Sequence, residues 1–257
     1  MKIRYDHAKN RHTLKGPLAA LPLIFPKGIP KRILDIGCGT GTWLKAAKEM
    51  GAKEVVGIDG VEIPREQLLI KSKDFRTFNL TKPISLNKKF DAVFCLEVAE
   101  HLNKKHAPIL IKTLTRHADT IIFSAACPGQ IGQNHINCQW PEYWQALLNQ
   151  FGFACEDCLR WKIWGVQQIE PWYRQNIFLA VRNPRCAGKE ARIPPIVHPE
   201  ICLNGRKISE IQKGKIRQEQ IRQIEKGSKP AVWYLKCLLY SYFQKAKRKI
   251  SKNLSST

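Results

Sequence analysis

The segment RILDIGCGTGTWLKAAKEMGA, starting at Arg32, limits what this chain can fold into more than any other. A short unbroken apolar run passes through three alternating glycines into a stretch with apolar residues at helical spacing, which stops at Gly51. An unbroken apolar run suits a strand covered on both faces, and such a strand needs helices on each side of its sheet. The pattern then repeats. KEVVGID, FRTFNL, FDAVFCLEV and DTIIFSA read as strands, with a helix across KHAPILIKTLTRHA before the last of them. The chain is therefore expected to be α/β, with a mostly parallel sheet and crossover helices.

A polar stretch, PGQIGQNHINCQW, follows the fifth strand, and Pro141 then opens a helix over EYWQALLNQF, since proline is favoured at the first helical position. FACEDCLRWKIW and QNIFLAVRN read as the sixth and seventh strands. The connection between them, GVQQIEPWYR, leaves no room for a crossover helix, so these two strands should be antiparallel neighbours. The expectation is a Rossmann-like, seven-stranded, mostly parallel sheet with an antiparallel last strand and helices on both faces.

At 257 residues the chain can fill one core and carry appendages. We divide it into an N-terminal segment (1–30), a central domain (31–183) and a basic, helical C-terminal extension (184–257). No window approaches the roughly 20 uninterrupted apolar residues of a membrane span, and MKIRYDHAKNRH has no apolar stretch behind its charges. A cytoplasmic protein is expected. The cysteines lie mostly inside apolar runs, as Cys95 does, and read as buried reduced thiols. The CxxC pair of Cys155 and Cys158 has no second pair or histidine couple, and no metal site is expected.

The formal charge of +22 is concentrated at the C-terminus, where Pro184 onward holds 17 Lys and Arg against 5 Asp and Glu. The block AVWYLKCLLYSYFQKAKRKI places Lys245, Lys247, Arg248 and Lys249 after a run of bulky apolar residues. It reads either as an interfacial helix on the inner face of an anionic membrane, or as a terminal helix packed on the sheet or on a partner subunit. The charge also suits nucleic acid, but the chain has no recognisable RNA-binding motif.

Gly37, Gly39 and Gly41 lie in the turn between the first strand and its helix, where glycine lets the backbone approach a ligand and leaves helix N-terminal amides facing it. Asp59 ends the second strand, where a carboxylate can accept hydrogen bonds from both hydroxyls of a ribose. The spacing is GxGxG, not the GxGxxG of dinucleotide sites.

ILDIGCGTGTWL, VVGIDG and FDAVFCLEVAEHL together resemble the class I S-adenosylmethionine-dependent methyltransferases, over about Lys31 to Asn183. PGQIGQNHINCQWPEYW and PWYRQNIFLAV are similar to a bacterial branch of these enzymes found among polysaccharide and secondary-metabolite biosynthesis genes, which commonly has a second glycine where Ile131 stands. The resemblance implies S-adenosylmethionine as cofactor, with Asp35, Gly37, Cys38, Gly39 and Gly41 around its methionine end and Asp59 on its ribose. It places Gly60 and Leu80 beside the adenine, and Asn79, where aspartate is more usual, on the adenine amino group. Leu96 and Glu97 would lie beside the cofactor, the Leu96 carbonyl holding its ammonium group.

Amino-methyltransferases of this class often carry a [DN]PP[YFW] motif after the fourth strand, and its absence here favours a hydroxyl acceptor. The loop after the fifth strand would then face that acceptor, with His135 as the base. Asn137 and Gln139 either orient acceptor and imidazole or satisfy loop backbone groups, while Gln130 and Gln133 carry no assigned role. Glu100 and His101 stand at the strand end where the ligand crevice lies, His101 as an acceptor contact; the alternative makes both the cap of the following helix, with His101 packed locally. Tyr173 and Arg174 would reach the same crevice, one stacking on the substrate and the other pairing with an anionic group. The expected function is O-methylation of a sugar, glycan or related metabolite. An RNA methyltransferase and a non-catalytic, methyltransferase-like binding protein are the alternatives.

Overall fold

The computed structural model describes residues 5–7 and 13–202, together with Leu235. Within them the order is α1 (Lys15–Ile24), β1 (Arg32–Ile36), α2 (Thr42–Glu49), β2 (Glu54–Asp59), β3 (Phe75–Thr77), β4 (Ala92–Leu96), α3 (Ala107–His117), β5 (Thr120–Ser124), α4 (Pro141–Asn149), β6 (Phe153–Glu156), α5 (Cys158–Ile163), α6 (Pro171–Asn176) and β7 (Phe178–Arg182). The strands form one sheet in the order β3-β2-β1-β4-β5-β7-β6. β7 runs antiparallel to both β5 and β6, and the neighbours from β3 to β5 pair in parallel. The alternation of the pleat sends Leu34, Ile36, Val93 and Cys95 to a core layer under α3 and α4. Ile33, Phe94 and Leu96 face the opposite layer with α1, α2 and α5.

Two local expectations need correction. Only Phe153–Glu156 of FACEDCLRWKIW is strand; from Cys158 the chain turns helical. Leu159 and Ile163, one helical turn apart, are both buried in the core, and the Arg160 guanidinium is bound by Asp157 within the same turn. The connection to β7 contains a second short helix, so Trp172, Tyr173 and Arg174 are helical residues behind Pro171 at its first turn. The antiparallel pairing survives because these two helices cover the sheet face without crossing to a parallel register.

The segments flanking the central sheet join its core. Ala20 and Leu21 of α1 are fully buried against it, and beyond β7 the side chain of Ile193 enters the α3–α4 layer. Burial would raise the pKa of Glu190, but donors from Gln145, Asn149 and the Cys155 amide outweigh it and hold the carboxyl at about 2. That carboxylate fastens the chain after β7 to α4 and β6. Among the described residues no helix is long and apolar enough to cross a membrane. The isoleucine-spaced helix and the aromatic–basic block of the C-terminal extension lie outside the described residues.

Candidate active site

In an open α/β sheet, the crevice for a ligand lies at the carboxyl ends of the strands where the strand order reverses. Here that point falls between β1 and β4, since β2 continues the sheet on one side of β1 and β4 on the other. A cavity of about 420 Å³ opens there. It is bounded by the glycine turn after β1, the end of β2, the turn after β4 and the loop after β5.

The glycine turn is shaped by its own backbone. The amides of Gly37 and Cys38 both donate to the Ile58 carbonyl, at 2.7 and 3.0 Å, which folds the turn back over β2. Gly37 has φ +83°, and a Cβ there would stand 2.2 Å from Val98 Cγ2. Only glycine fits. The Asp59 carboxylate accepts from the Gly39 amide at 2.8 Å and the Val61 amide at 2.9 Å, so it braces the turn while facing the cavity. Asp35 is buried at the floor, and desolvation, then the nearby Asp59, push its pKa well above the usual carboxylate range.

After β4 the chain bends sharply through Glu97, a non-glycine residue at φ 56° whose amide donates to the Ser124 carbonyl and hydroxyl. Such backbone strain gathers at functional sites. The Glu97 carboxylate is gripped by two amides, Gln130 Nε2 at 2.8 Å and Asn176 Nδ2 at 3.0 Å. Its desolvation still wins and raises the pKa to about 7. Glu100, in the following turn, is wholly buried, and neither carboxylate oxygen makes a hydrogen bond of good geometry. Burial, then the charge of Glu97, push its pKa well up, and the backbone amides of Glu100 and Ala126 offset this only in part. It caps no helix.

The loop after β5 returns to this turn. Ile136 and Asn137 both donate their amides to the Glu100 carbonyl, at 2.9 and 3.0 Å, and so bring His135 over the cavity. The His135 Nδ1–H donates to the Gln130 carbonyl at 2.9 Å, leaving Nε2 with its lone pair. Gly132 makes room for the ring, since a Cβ there would stand 2.0 Å from Nε2. His101 packs against His135 with ring centroids 5.1 Å apart. Burial and then the neighbouring His135 lower the His101 pKa to about 4, and burial lowers that of His135 as well. Both rings are neutral near pH 7. The N-terminal strap reaches the same place: Tyr5 packs edge-on against His101, and Asp6 exchanges two hydrogen bonds with Gln133.

Of the residues singled out from the sequence, Asp35, Gly37, Cys38, Gly39, Asp59, Gly60, Leu80, Leu96, Glu97, His101, His135 and Tyr173 line this cavity. Five do not. Gly41 is the left-handed N-terminal boundary of α2 and packs toward Ile70. Asn79 spends its side-chain oxygen on the amide and hydroxyl of Thr81. Asn137 is buried with its Oδ1 accepting from Gln139, and both brace the loop behind His135. Arg174 points away from the cavity and is bound by Glu200, His198 and the Trp164 carbonyl. Glu100, which the sequence offered as a crevice residue or a helix cap, lines the cavity as well; Gln130 was left without a role and Asn176 was missed. Gln130 stands in the polar stretch itself, whereas nothing local marks Asn176 as a partner of a residue after β4.

One property of the lining stands out against the net charge of +22. Among the described residues, five carboxylates face the cavity (Asp35, Asp59, Glu97, Glu100 and Glu170) and no lysine or arginine does. Such a lining suits a cationic ligand better than an anionic one.

Comparison with known proteins agrees with this geometry. Residues 5–126 match the family model described as "Methyltransferase domain". The chain is 31% identical over 111 residues to the ribosomal protein L11 methyltransferase of Fusobacterium nucleatum, which covers 40% of this chain and 35% of that protein. It is 27% identical over 173 residues to the ubiquinone biosynthesis O-methyltransferase of Rhizobium etli, covering 62% of this chain and 59% of the relative. The chain thus spans only about a third to three-fifths of the length of these curated relatives. The solved sugar N-methyltransferase of Streptoalloteichus superposes with a TM-score of 0.51 at 14% identity, over 66% of this chain and 88% of that one, and shares the fold. The glycine turn, the strand order and the match over residues 5–126 agree: the chain has the fold of the class I methyltransferases, and its residues 5–126 are similar to the methyltransferase-domain model.

Proposed function

We propose that the chain is an S-adenosylmethionine-dependent methyltransferase that methylates a hydroxyl of a sugar, glycan or related small metabolite. The observation that carries this reading is the cavity at the β1–β4 reversal, rimmed by the glycine turn and lined by five carboxylates without a lysine or arginine among the described residues. A ligand that carries a sulfonium and an ammonium group suits that lining, and a nucleotide polyphosphate does not. When bound, S-adenosylmethionine supplies an electrophilic methyl group. Gly37, Cys38 and Gly39 would hold its amino-acid end, Asp59 its ribose hydroxyls, and Gly60 and Leu80 would flank its adenine. The O-methyltransferase of Rhizobium etli supports oxygen as the methylated atom.

On the acceptor side, His135 and His101 would face the hydroxyl. His135 lines the cavity, its tautomer is fixed by the Gln130 carbonyl, and burial favours its neutral form, which supports Nε2 as the group that would receive the proton of an acceptor hydroxyl or hold its oxygen. Tyr173 closes the cavity toward Trp43, their rings 5.2 Å apart. Arg174 is engaged elsewhere and offers no partner to an anionic group of the acceptor. Replacing His135 with alanine should leave cofactor affinity within about twofold and lower methyl transfer by roughly 10²–10⁴. The measurement is incorporation of labelled methyl from S-adenosylmethionine into a metabolite and polysaccharide extract of cells lacking the protein. Near-normal incorporation by His135→Ala would remove this side chain from the mechanism.

A further inference from the structure

Glu100 poses a problem that the cofactor reading leaves unsolved. A carboxylate that is fully buried, has no well-formed hydrogen bond beyond the weak help of two backbone amides and lies beside a second carboxylate is costly to keep ionised, by several kcal/mol. Proteins retain such a group where it is paired with a cation or ligates a metal. Among the described residues no lysine or arginine lines the cavity to pair with it. Two imidazoles do approach it: one ligand atom each from Glu100, His101 and His135 lie within 4.8 Å of one another. His101 Nδ1 is buried without a hydrogen-bond partner, and His135 keeps the Nε2 lone pair because Nδ1 is committed to the Gln130 carbonyl.

We propose that Glu100, His101 and His135 bind a divalent transition-metal ion on the acceptor side of the cavity, leaving open positions for the acceptor hydroxyl. Two imidazole nitrogens and one carboxylate form a borderline donor set suited to manganese, iron, cobalt or zinc in their divalent states, and less to magnesium or calcium. Ligands about 2.1 Å from a common ion stand no more than about 4.2 Å apart. Neighbouring ligands in octahedral or tetrahedral geometry stand about 3–3.4 Å apart, and the three atoms, all within 4.8 Å of one another, reach that spacing with side-chain shifts of up to about 1.5 Å. The Gln130 carbonyl is the outer partner that orients a ligating histidine, as such groups do in metal sites. Glu97, adjacent and already gripped by Gln130 and Asn176, adds negative charge beside the ion.

This deepens the proposed function, rests on its cofactor and hydroxyl-acceptor assignments, and replaces the role it gave His135. With the ion bound, Nε2 of His135 is a ligand and no longer the proton acceptor. The hydroxyl oxygen, held by the ion, releases its proton to solvent because the cation lowers its pKa. That oxygen forms the new bond to the methyl carbon, and the carbon–sulfur electron pair returns to sulfur. The site would thus choose acceptors with a hydroxyl, and above all those with two adjacent hydroxyls, which can occupy two open positions together.

The test uses the untagged full chain after chelator treatment, titrated calorimetrically with Mn²⁺ and separately with Zn²⁺, with S-adenosylmethionine binding measured on the same samples. We expect one metal site per chain with a Kd in the micromolar range or tighter. Glu100→Gln and His101→Gln should each weaken it by at least about tenfold, while cofactor binding stays. Glu100→Gln distinguishes ligation from a structural role. Without metal its Tm should equal or exceed that of the unaltered chain, because a costly buried charge is gone, and metal should no longer raise the Tm. Absence of binding by either ion, or binding unchanged in Glu100→Gln, overturns the metal site. Loss of cofactor binding in the unaltered chain would instead overturn the methyltransferase reading itself.

Discussion

Asp59→Ala should bind S-adenosylmethionine at least about a hundredfold more weakly than the unaltered chain. Two losses combine. The ribose hydroxyls would donate to this carboxylate, and hydrogen bonds to a charged group contribute about 1.5–3 kcal/mol each. The same carboxylate also accepts from the Gly39 and Val61 amides, so its removal frees the glycine turn as well as one wall of the site. Asp59→Asn keeps one acceptor oxygen and should fall between the two. Circular dichroism checks that each variant is folded, and calorimetric titration gives the affinities. Affinity within threefold of the unaltered chain for Asp59→Ala would mean that the ligand does not sit against β2.

Gly37→Ala should lower stability by about 2–5 kcal/mol. A left-handed backbone costs a residue with a Cβ about 1–2 kcal/mol. Overpacking adds about 1–3 kcal/mol, since the new methyl would stand 2.2 Å from Val98 Cγ2 and 2.7 Å from Cγ1. For a domain of this size that corresponds to a fall in Tm of roughly 5–15 °C. The two causes separate in a double variant. Val98→Ala in the Gly37→Ala background removes the overlap and leaves the backbone strain, so it should restore part of the Tm and not all of it. Thermal unfolding followed by circular dichroism measures both, and a Tm within 2 °C of the unaltered chain for Gly37→Ala would contradict the turn geometry.

What could be read from the sequence follows how local each feature is. The strand, glycine turn and helix from Arg32 to Glu49 are contiguous, and each residue type there answers a steric demand made by its immediate neighbours. Asp59 was legible for the same reason, as the last residue of an apolar run. The short helices α5 and α6 were not legible, because six residues show too little periodicity to separate helix from strand. Arg174 read as a free cation, while its Glu200 partner lies in a segment with no pattern of its own. The metal-binding group was hidden most deeply. Glu100 and His101 follow β4, His135 follows β5, and hydrogen bonds between the two turns, among them the two amides donated to the Glu100 carbonyl, bring them together. A search for ligands at fixed spacing along the chain does not find such a set.

The measurement that bears most directly on the central claim is a calorimetric titration of the full chain with S-adenosylmethionine. The account predicts saturable binding at one site per chain, with a Kd in the micromolar range, competed by S-adenosylhomocysteine. No saturable binding up to millimolar cofactor would contradict it, and would leave the glycine turn and its carboxylate-lined cavity without their proposed ligand.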